Sequence, residues 1–160
     1  MHKIRHLLPK DREQVHAILV NTGMFTSEEV DVAMELVDLF LKDRKQKDYD
    51  IYISETDGRV SGYVCFGPTP AAEGTYDLYW IAVSSELQAK GIGSALLQFA
   101  EKEIAGRKGR LIIIETSSKE KYALTQAFYV RNHYTLESRI KDFYRLGDDR
   151  LTYTKRLSFS

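Results

Sequence analysis

Apolar positions along this chain recur with two periods, and the period switches mark its elements. Residues 2 to 8 alternate loosely as a first strand with Ile4 and Leu7 inward, ended by Pro9. From Asp11, the positions Val15, Ile18 and Leu19 follow helical spacing and stop before Asn21-Thr22-Gly23, whose asparagine and glycine suit a helix C-terminus. Thr26 followed by Glu29 fits a capping box, and Val30, Met34, Val37 and Leu41 form one apolar stripe, so a second helix is expected from Ser27 to Lys42. Two strand-like runs, Ile51 to Glu55 and Arg59 to Phe66, flank Thr56-Asp57-Gly58, a hairpin signal. After a Pro-broken loop, Thr75 to Val83 reads as a strand and Gly93 to Ala105 as an amphipathic helix.

The run from Arg110 to Thr116 holds four consecutive apolar residues, which suits a strand covered on both faces and paired in parallel across the helical crossover. A short helix from Tyr122 to Arg131 and two strands, Tyr134 to Lys141 and Leu151 to Leu157, complete the chain, the strands joined by a polar connection with Gly147-Asp148-Asp149. The order βαα, βββ, α, β, α, ββ indicates an α/β fold on a mixed sheet. At 160 residues a single domain over residues 1–160 is expected.

Charge and composition narrow the function. Lys plus Arg number 23 and Asp plus Glu 23, so a neutral surface gives no basis for nucleic-acid binding. No apolar run approaches the roughly 20 residues that cross a bilayer, which makes a membrane role unexpected and the cytoplasm the expected compartment. The single cysteine, Cys65, excludes an intrachain disulfide framework and reads as a core residue; His2, His6, His16 and His133 share no metal-ligand spacing, so no metal is expected.

One stretch carries chemistry. Gln88-Ala89-Lys90-Gly91-Ile92-Gly93 is a glycine turn placed where a helix begins, so that unpaired backbone N–H groups and the helix dipole would meet an anion. A dinucleotide fingerprint needs glycine or alanine where Leu96 stands, and a P-loop needs a lysine between Gly93 and Ser94; neither is present. The turn instead resembles the Arg/Gln-x-x-Gly-x-Gly/Ala pattern of the GNAT (GCN5-related) N-acetyltransferases. Ala127-Phe128-Tyr129-Val130-Arg131-Asn132-His133-Tyr134 resembles that family's Phe-Tyr-x-x-x-Gly-Phe, with His133 and Tyr134 in place of the usual glycine and phenylalanine. The resemblance runs over the whole chain and implies the GNAT acyl-CoA N-acyltransferase fold: a mixed, mostly antiparallel sheet of about seven strands, four helices, and a splayed pair of fourth and fifth strands.

The resemblance implies acetyl-CoA as co-substrate. Its pyrophosphate would be held by the backbone of Gln88, Ala89, Lys90, Gly91, Ile92, Gly93 and Ser94, and its pantetheine arm by Ile81, Ala82 and Val83. It also implies Tyr129 as proton source for the leaving thiolate, an assignment that competes with plain aromatic packing of Phe128-Tyr129. The base is left between Asp77, Glu115 and water; strict strand alternation places Asp77 and Tyr79 on one face. Phe25 as a lid, with Tyr79, Trp80, Phe143 and Tyr144 as an aromatic wall, are the substrate-contact candidates, against a core reading of the same aromatics. Tyr122 stands where many relatives carry an asparagine that contacts the pantetheine. The basic cluster Lys102, Arg107, Lys108 and Arg110 reads as a solvated helix end, with contact to the CoA 3′-phosphate as the lesser option.

The acceptor implied is a primary amine of a small or amino-acid-like molecule, attacked directly in a ternary complex. A protein N-terminus or lysine is the alternative acceptor, and a non-catalytic acyl-CoA sensor the alternative class. The C-terminal strands are candidates for pairing across a homodimer.

Overall fold

The structure, a computed structural model, describes residues 2–88 and 90–158. The strands are β1 (His2–His6), β2 (Asp50–Thr56), β3 (Arg59–Pro68), β4 (Thr75–Val83), β5 (Leu111–Ser117), β6 (Thr135–Arg145) and β7 (Asp148–Arg156); the helices are α1 (Arg12–Asn21), α2 (Ser27–Lys42), α3 (Ile92–Gly106) and α4 (Ala123–Arg131). The strands form one sheet in the order β1-β2-β3-β4-β5-β7-β6. Among the described residues only β4 and β5 pair in parallel, joined by the α3 crossover. This is the mixed, seven-stranded arrangement with four helices that the resemblance implies.

Local signals set most of these elements. At the start of α2 the Thr26 hydroxyl accepts the Glu29 N–H at 3.1 Å while the Glu29 carboxylate accepts the Thr26 N–H at 3.0 Å, so two otherwise orphaned donors are satisfied reciprocally. Asp57 and Gly58 both take positive φ, 51° and 78°, the mirror-image turn whose twist suits the β2–β3 hairpin.

The sheet separates two apolar layers. Leu19, Val37, Ile51, Ile53, Tyr63 and Cys65 are buried beneath α1 and α2, whereas Val64, Phe66, Leu78, Leu96, Ile112 and Ile114 are buried with α3. On the first of these faces, α1 packs on β3 and β4, and α2 on β2. The expectation that β5 is covered on both faces needs correction. Ile112 and Ile114 are buried toward α3, but Leu111 and Ile113 are only half-buried and Glu115 is exposed. The open face of β5 becomes one wall of a cleft.

The last two strands are longer than their polar sequence suggests. They continue to Arg145 and restart at Asp148, turning at Leu146-Gly147, where Gly147 has a φ of 79°. Asp148 and Asp149 are buried because their oxygens are spent: Asp148 accepts from Ser117 and Arg145, and Asp149 from Arg139 and the Asp142 N–H.

Candidate active site

The cleft begins where two strands part. β4 and β5 pair only at Thr75–Leu111, Tyr76–Ile112 and Asp77–Ile113. Beyond that point β4 stays with β3 as far as Val83, and β5 stays with β7 as far as Ser117. The edge of β4 from Leu78 to Val83 that faces β5 therefore has no strand partner among the described residues. Such an edge presents a row of free N–H and C=O groups to any extended ligand.

A bulge sharpens the opening. Cys65 pairs with Trp80 and Phe66 with Leu78, so Tyr79 is an extra residue in β4. Tyr76 and Leu78 pack toward α3, as do Ile81 and Val83, while Trp80 and Ala82 pack toward α1 and α2. The strict alternation that relates Asp77 to Tyr79 is thus broken, yet both still line one concavity. Its volume is about 290 Å³ and its walls are Asp77, Leu78, Tyr79, Ile113 and Glu115. Burial, and then the nearby negative charge of Asp77, push the Tyr79 phenol up to about 12.

The two carboxylates are held differently. Asp77 Oδ2 accepts the Thr69 hydroxyl at 2.7 Å. Glu115 Oε2 lies 3.4 Å from Nη1 of Arg150, beyond ordinary N–H···O length. Thr69 and Arg150 were not singled out from the sequence. Thr69 sits between Pro68 and Pro70 in what reads as a breaker loop, and Arg150 reaches Glu115 only because β7 inserts beside β5.

At the far end of β4 the turn and α3 supply donors. Gly91 takes a φ of 81°, the left-handed conformation that glycine adopts without strain. The first ladder bond of α3 runs from the Ala95 N–H to the Gly91 carbonyl at 3.0 Å, so the N–H groups of Ile92, Gly93 and Ser94 precede it. The Ile92 side chain is buried in the core and anchors the first turn of α3. Gly93 serves packing as well: a Cβ there would meet the Phe128 ring at 3.2 Å. The Gln88 side-chain amide donates to the Val83 carbonyl at 3.4 Å, and Ala89 lies outside the described residues.

Tyr129 is buried, 5% exposed, among Phe128, Tyr134 and Tyr153. That burial raises its phenol well above the usual range. Tyr134 differs from its neighbour in donating its hydroxyl to Glu101 at 2.8 Å. His133, at the position of the family's glycine, takes a φ of 72° and closes α4 as a glycine would: the His133 N–H reaches the Val130 carbonyl and the Tyr134 N–H the Tyr129 carbonyl.

The remaining aromatics split into two groups. Phe25 meets Trp80 edge-on at 5.4 Å and Tyr49 meets Tyr79 at 5.5 Å, on the α1–α2 side. Phe143 and Tyr144 form their own edge-on pair at 5.0 Å on β6, half exposed. The Tyr122 hydroxyl donates to the Met24 carbonyl at 2.7 Å and so ties the α1–α2 loop to the start of α4. Arg107 stands at the opposite end of α3 from the glycine turn, about 20 Å away for a helix of this length, and is spent on Asp50. It lines a second concavity of about 560 Å³, with His6, Phe40, Arg44 and Tyr76, remote from the turn. Cys65 is fully buried, which pushes its thiol up; among the described residues no cluster of His, Cys, Asp and Glu is arranged to hold a metal ion.

A parallel strand pair that splays open, with a glycine turn and helix N-terminus at its mouth, is the architecture of an acyl-CoA-dependent acyltransferase. The chain belongs to the acetyltransferase (GNAT) family, whose profile matches residues 14–134. A crystal structure from Desulfovibrio desulfuricans, described as an acetyltransferase of the GNAT family, is 43% identical with a TM-score of 0.95, covering 99% of this chain and 100% of that one. The S-(2-succino)cysteine N-acetyltransferase of Bacillus subtilis (strain 168) is 28% identical over 102 residues; the match spans 61% of this chain and 61% of that protein's length. PaiA N-acetyltransferase from Thermoplasma acidophilum, solved with coenzyme A, is 17% identical with a TM-score of 0.75, covering 98% and 99% of the two chains, a likeness of fold.

Proposed function

We propose that this protein transfers the acetyl group of acetyl-CoA to a primary amine of a small, amino-acid-like acceptor, by direct attack within a ternary complex. The observation that carries the reading is the parting of β4 and β5 after Asp77–Ile113, with carboxylates on both walls and the α3 N-terminus at its end. Family membership supplies the reaction class. The name of the Bacillus relative, an amino-acid N-acetyltransferase, supports the choice of a small acceptor over a protein one.

In this reading the N–H groups of Ile92, Gly93 and Ser94, with the turn from Gln88 through Ala89, Lys90 and Gly91, bind the pyrophosphate. The free edge of Ile81, Ala82 and Val83 pairs with the pantetheine arm as an added strand, and one of its N–H groups polarises the thioester carbonyl. Asp77, with Glu115 across the cleft, accepts the proton that the attacking amine must lose, directly or through water. As nitrogen bonds to the carbonyl carbon and the C–S bond breaks, Tyr129 gives its proton to the thiolate; the carboxylate then releases the amine proton to solvent and the phenolate takes one back before the next turnover. Burial holds the phenol neutral, so its proton is in place when the thiolate forms. Phe25, Tyr79, Phe143 and Tyr144 line the approach of the acceptor. No metal takes part. The proposal takes residues 1–160 as one domain working in the cytoplasm; among the described residues no helix is long and apolar enough to cross a membrane.

Calorimetry with acetyl-CoA and ATP, followed by acetylation of an amine panel, tests the reading. Binding of acetyl-CoA unaffected by ATP, with acetylation of at least one amine, is expected. Binding with no acetylation across a broad panel would replace the enzyme with a sensor, and competition by ATP at least as strong as by CoA would replace it with a nucleotide-binding domain.

A further inference from the structure

Among the described residues, Arg150 is the one arginine of the β6–β7 hairpin with no carboxylate oxygen at ordinary hydrogen-bond length. Arg139, Arg145 and Arg156 each have a carboxylate oxygen within hydrogen-bond reach, at 2.6, 2.9 and 3.0 Å. Arg150 has Glu115 at 3.4 Å, and its Nε is buried with no acceptor. A guanidinium carries five N–H donors in a rigid fork, and burying one unpaired is costly. The side chain is nevertheless fixed, because Cζ stacks 4.4 Å above the Phe143 ring. The fold therefore holds a cation in place and leaves its hydrogen bonding incomplete.

Its position gives the incompleteness a direction. Arg150 pairs with Ser117 and Thr152 with Glu115, so Arg150 and Glu115 are diagonal neighbours on the face of the sheet away from Leu151, Tyr153 and α3. That face carries the 290 Å³ cleft, and Arg150 stands beside its Glu115 wall. Charged groups close enough to act on Tyr144 beside this rim include Asp148, bound to Arg145 and Ser117, and Glu29 on α2. Carboxylates on the walls and one unsatisfied guanidinium beyond them form a dipolar site, which complements an ammonium group next to a carboxylate.

We propose that the acceptor is a carboxylate-bearing amine of the amino-acid type, with its carboxylate received by the fork of Arg150 while its amine faces Asp77 and Glu115. The assignment rests on the acetyltransferase reading for the amine and on Arg150 alone for the carboxylate. Arg150 sets specificity; it does not take part in bond making.

Product-side binding separates the two. CoA-loaded protein is titrated calorimetrically with N-acetyl amino acids of several side chains and with the matching N-acetyl amino acid amides. In the wild type the carboxylate forms should bind on the order of 30-fold more tightly than the amides. Arg150→Gln should abolish that preference while leaving affinity for CoA and for the amides unchanged, and Arg150→Lys should recover part of it. Equal affinity of the two forms, binding by none of them, or an equal loss for both in Arg150→Gln, as expected if Arg150 only neutralises Glu115, overturns the inference. A carboxylate preference that depends on Arg150 in a protein that acetylates no amine would leave the anion site standing and remove the acetyltransferase reading. Acetylation indifferent to the carboxylate would do the reverse.

Discussion

The Thr69 hydroxyl donates to the Asp77 carboxylate at 2.7 Å, across the loop that feeds β4. It fixes one oxygen of Asp77, a residue that lines the cleft. Thr69→Val should lower kcat about tenfold with the KM for acetyl-CoA unchanged, and Thr69→Ser should restore it. Steady-state kinetics of the two variants decide this. A kcat unaffected by Thr69→Val would mean that Asp77 is not the working base or needs no positioning.

Tyr129 makes a prediction about pH. Burial disfavours its phenolate, so its folded pKa lies above the ordinary value of about 10 and the phenol remains a proton donor below that pH. A rate profile should accordingly rise as the amine and its base lose protons and show no falling limb up to about pH 10. Tyr129→Phe should cut kcat about 100-fold across the whole range. A falling limb near pH 8 that disappears in Tyr129→Phe would contradict the assignment by showing a lowered pKa.

The two glycines of the turn should respond differently to alanine. At Gly91 a Cβ meets nothing within 4 Å among the described residues, but the residue takes a φ of 81°; Gly91→Ala should cost about 1–2 kcal/mol in strain or reshape the turn, weakening acetyl-CoA binding. At Gly93 the added methyl presses on Phe128, so Gly93→Ala should displace the ring beside Tyr129 and lower thermal stability as well as kcat. Calorimetric affinity and Tm of both variants separate a backbone effect from a packing one.

His133→Gly should stabilise the fold. The histidine occupies a left-handed position that costs an L-residue about 1 kcal/mol and costs glycine little. A Tm raised by a few degrees is expected. A lower Tm would show that the imidazole makes a compensating contact.

Features set by near neighbours were readable in the sequence. The Thr26–Glu29 capping box, the Asp57-Gly58 turn and the glycine turn ahead of α3 each depend on residues within a few positions, although the helix starts at Ile92 rather than at the expected Gly93. What escaped depends on partners far along the chain. The Tyr79 bulge exists only in register with Cys65 and Phe66, and the open face of β5 follows from where α1 and α2 lie. Arg150 meets Glu115 because the chain runs out to β6 and returns between it and β5. Asp77 and Glu115 were legible as candidates for the opposite reason: a carboxylate at the edge of an apolar strand is conspicuous wherever its strand goes.

Initial-velocity kinetics of acetyl transfer to a preferred amine, with both substrates varied and the product identified by mass spectrometry, test the central claim most directly. Direct attack in a ternary complex predicts intersecting double-reciprocal lines, an N-acetylated amine, and protein of unchanged mass. Parallel lines with an acetylated protein, or release of CoA without any acetylated amine, would contradict it.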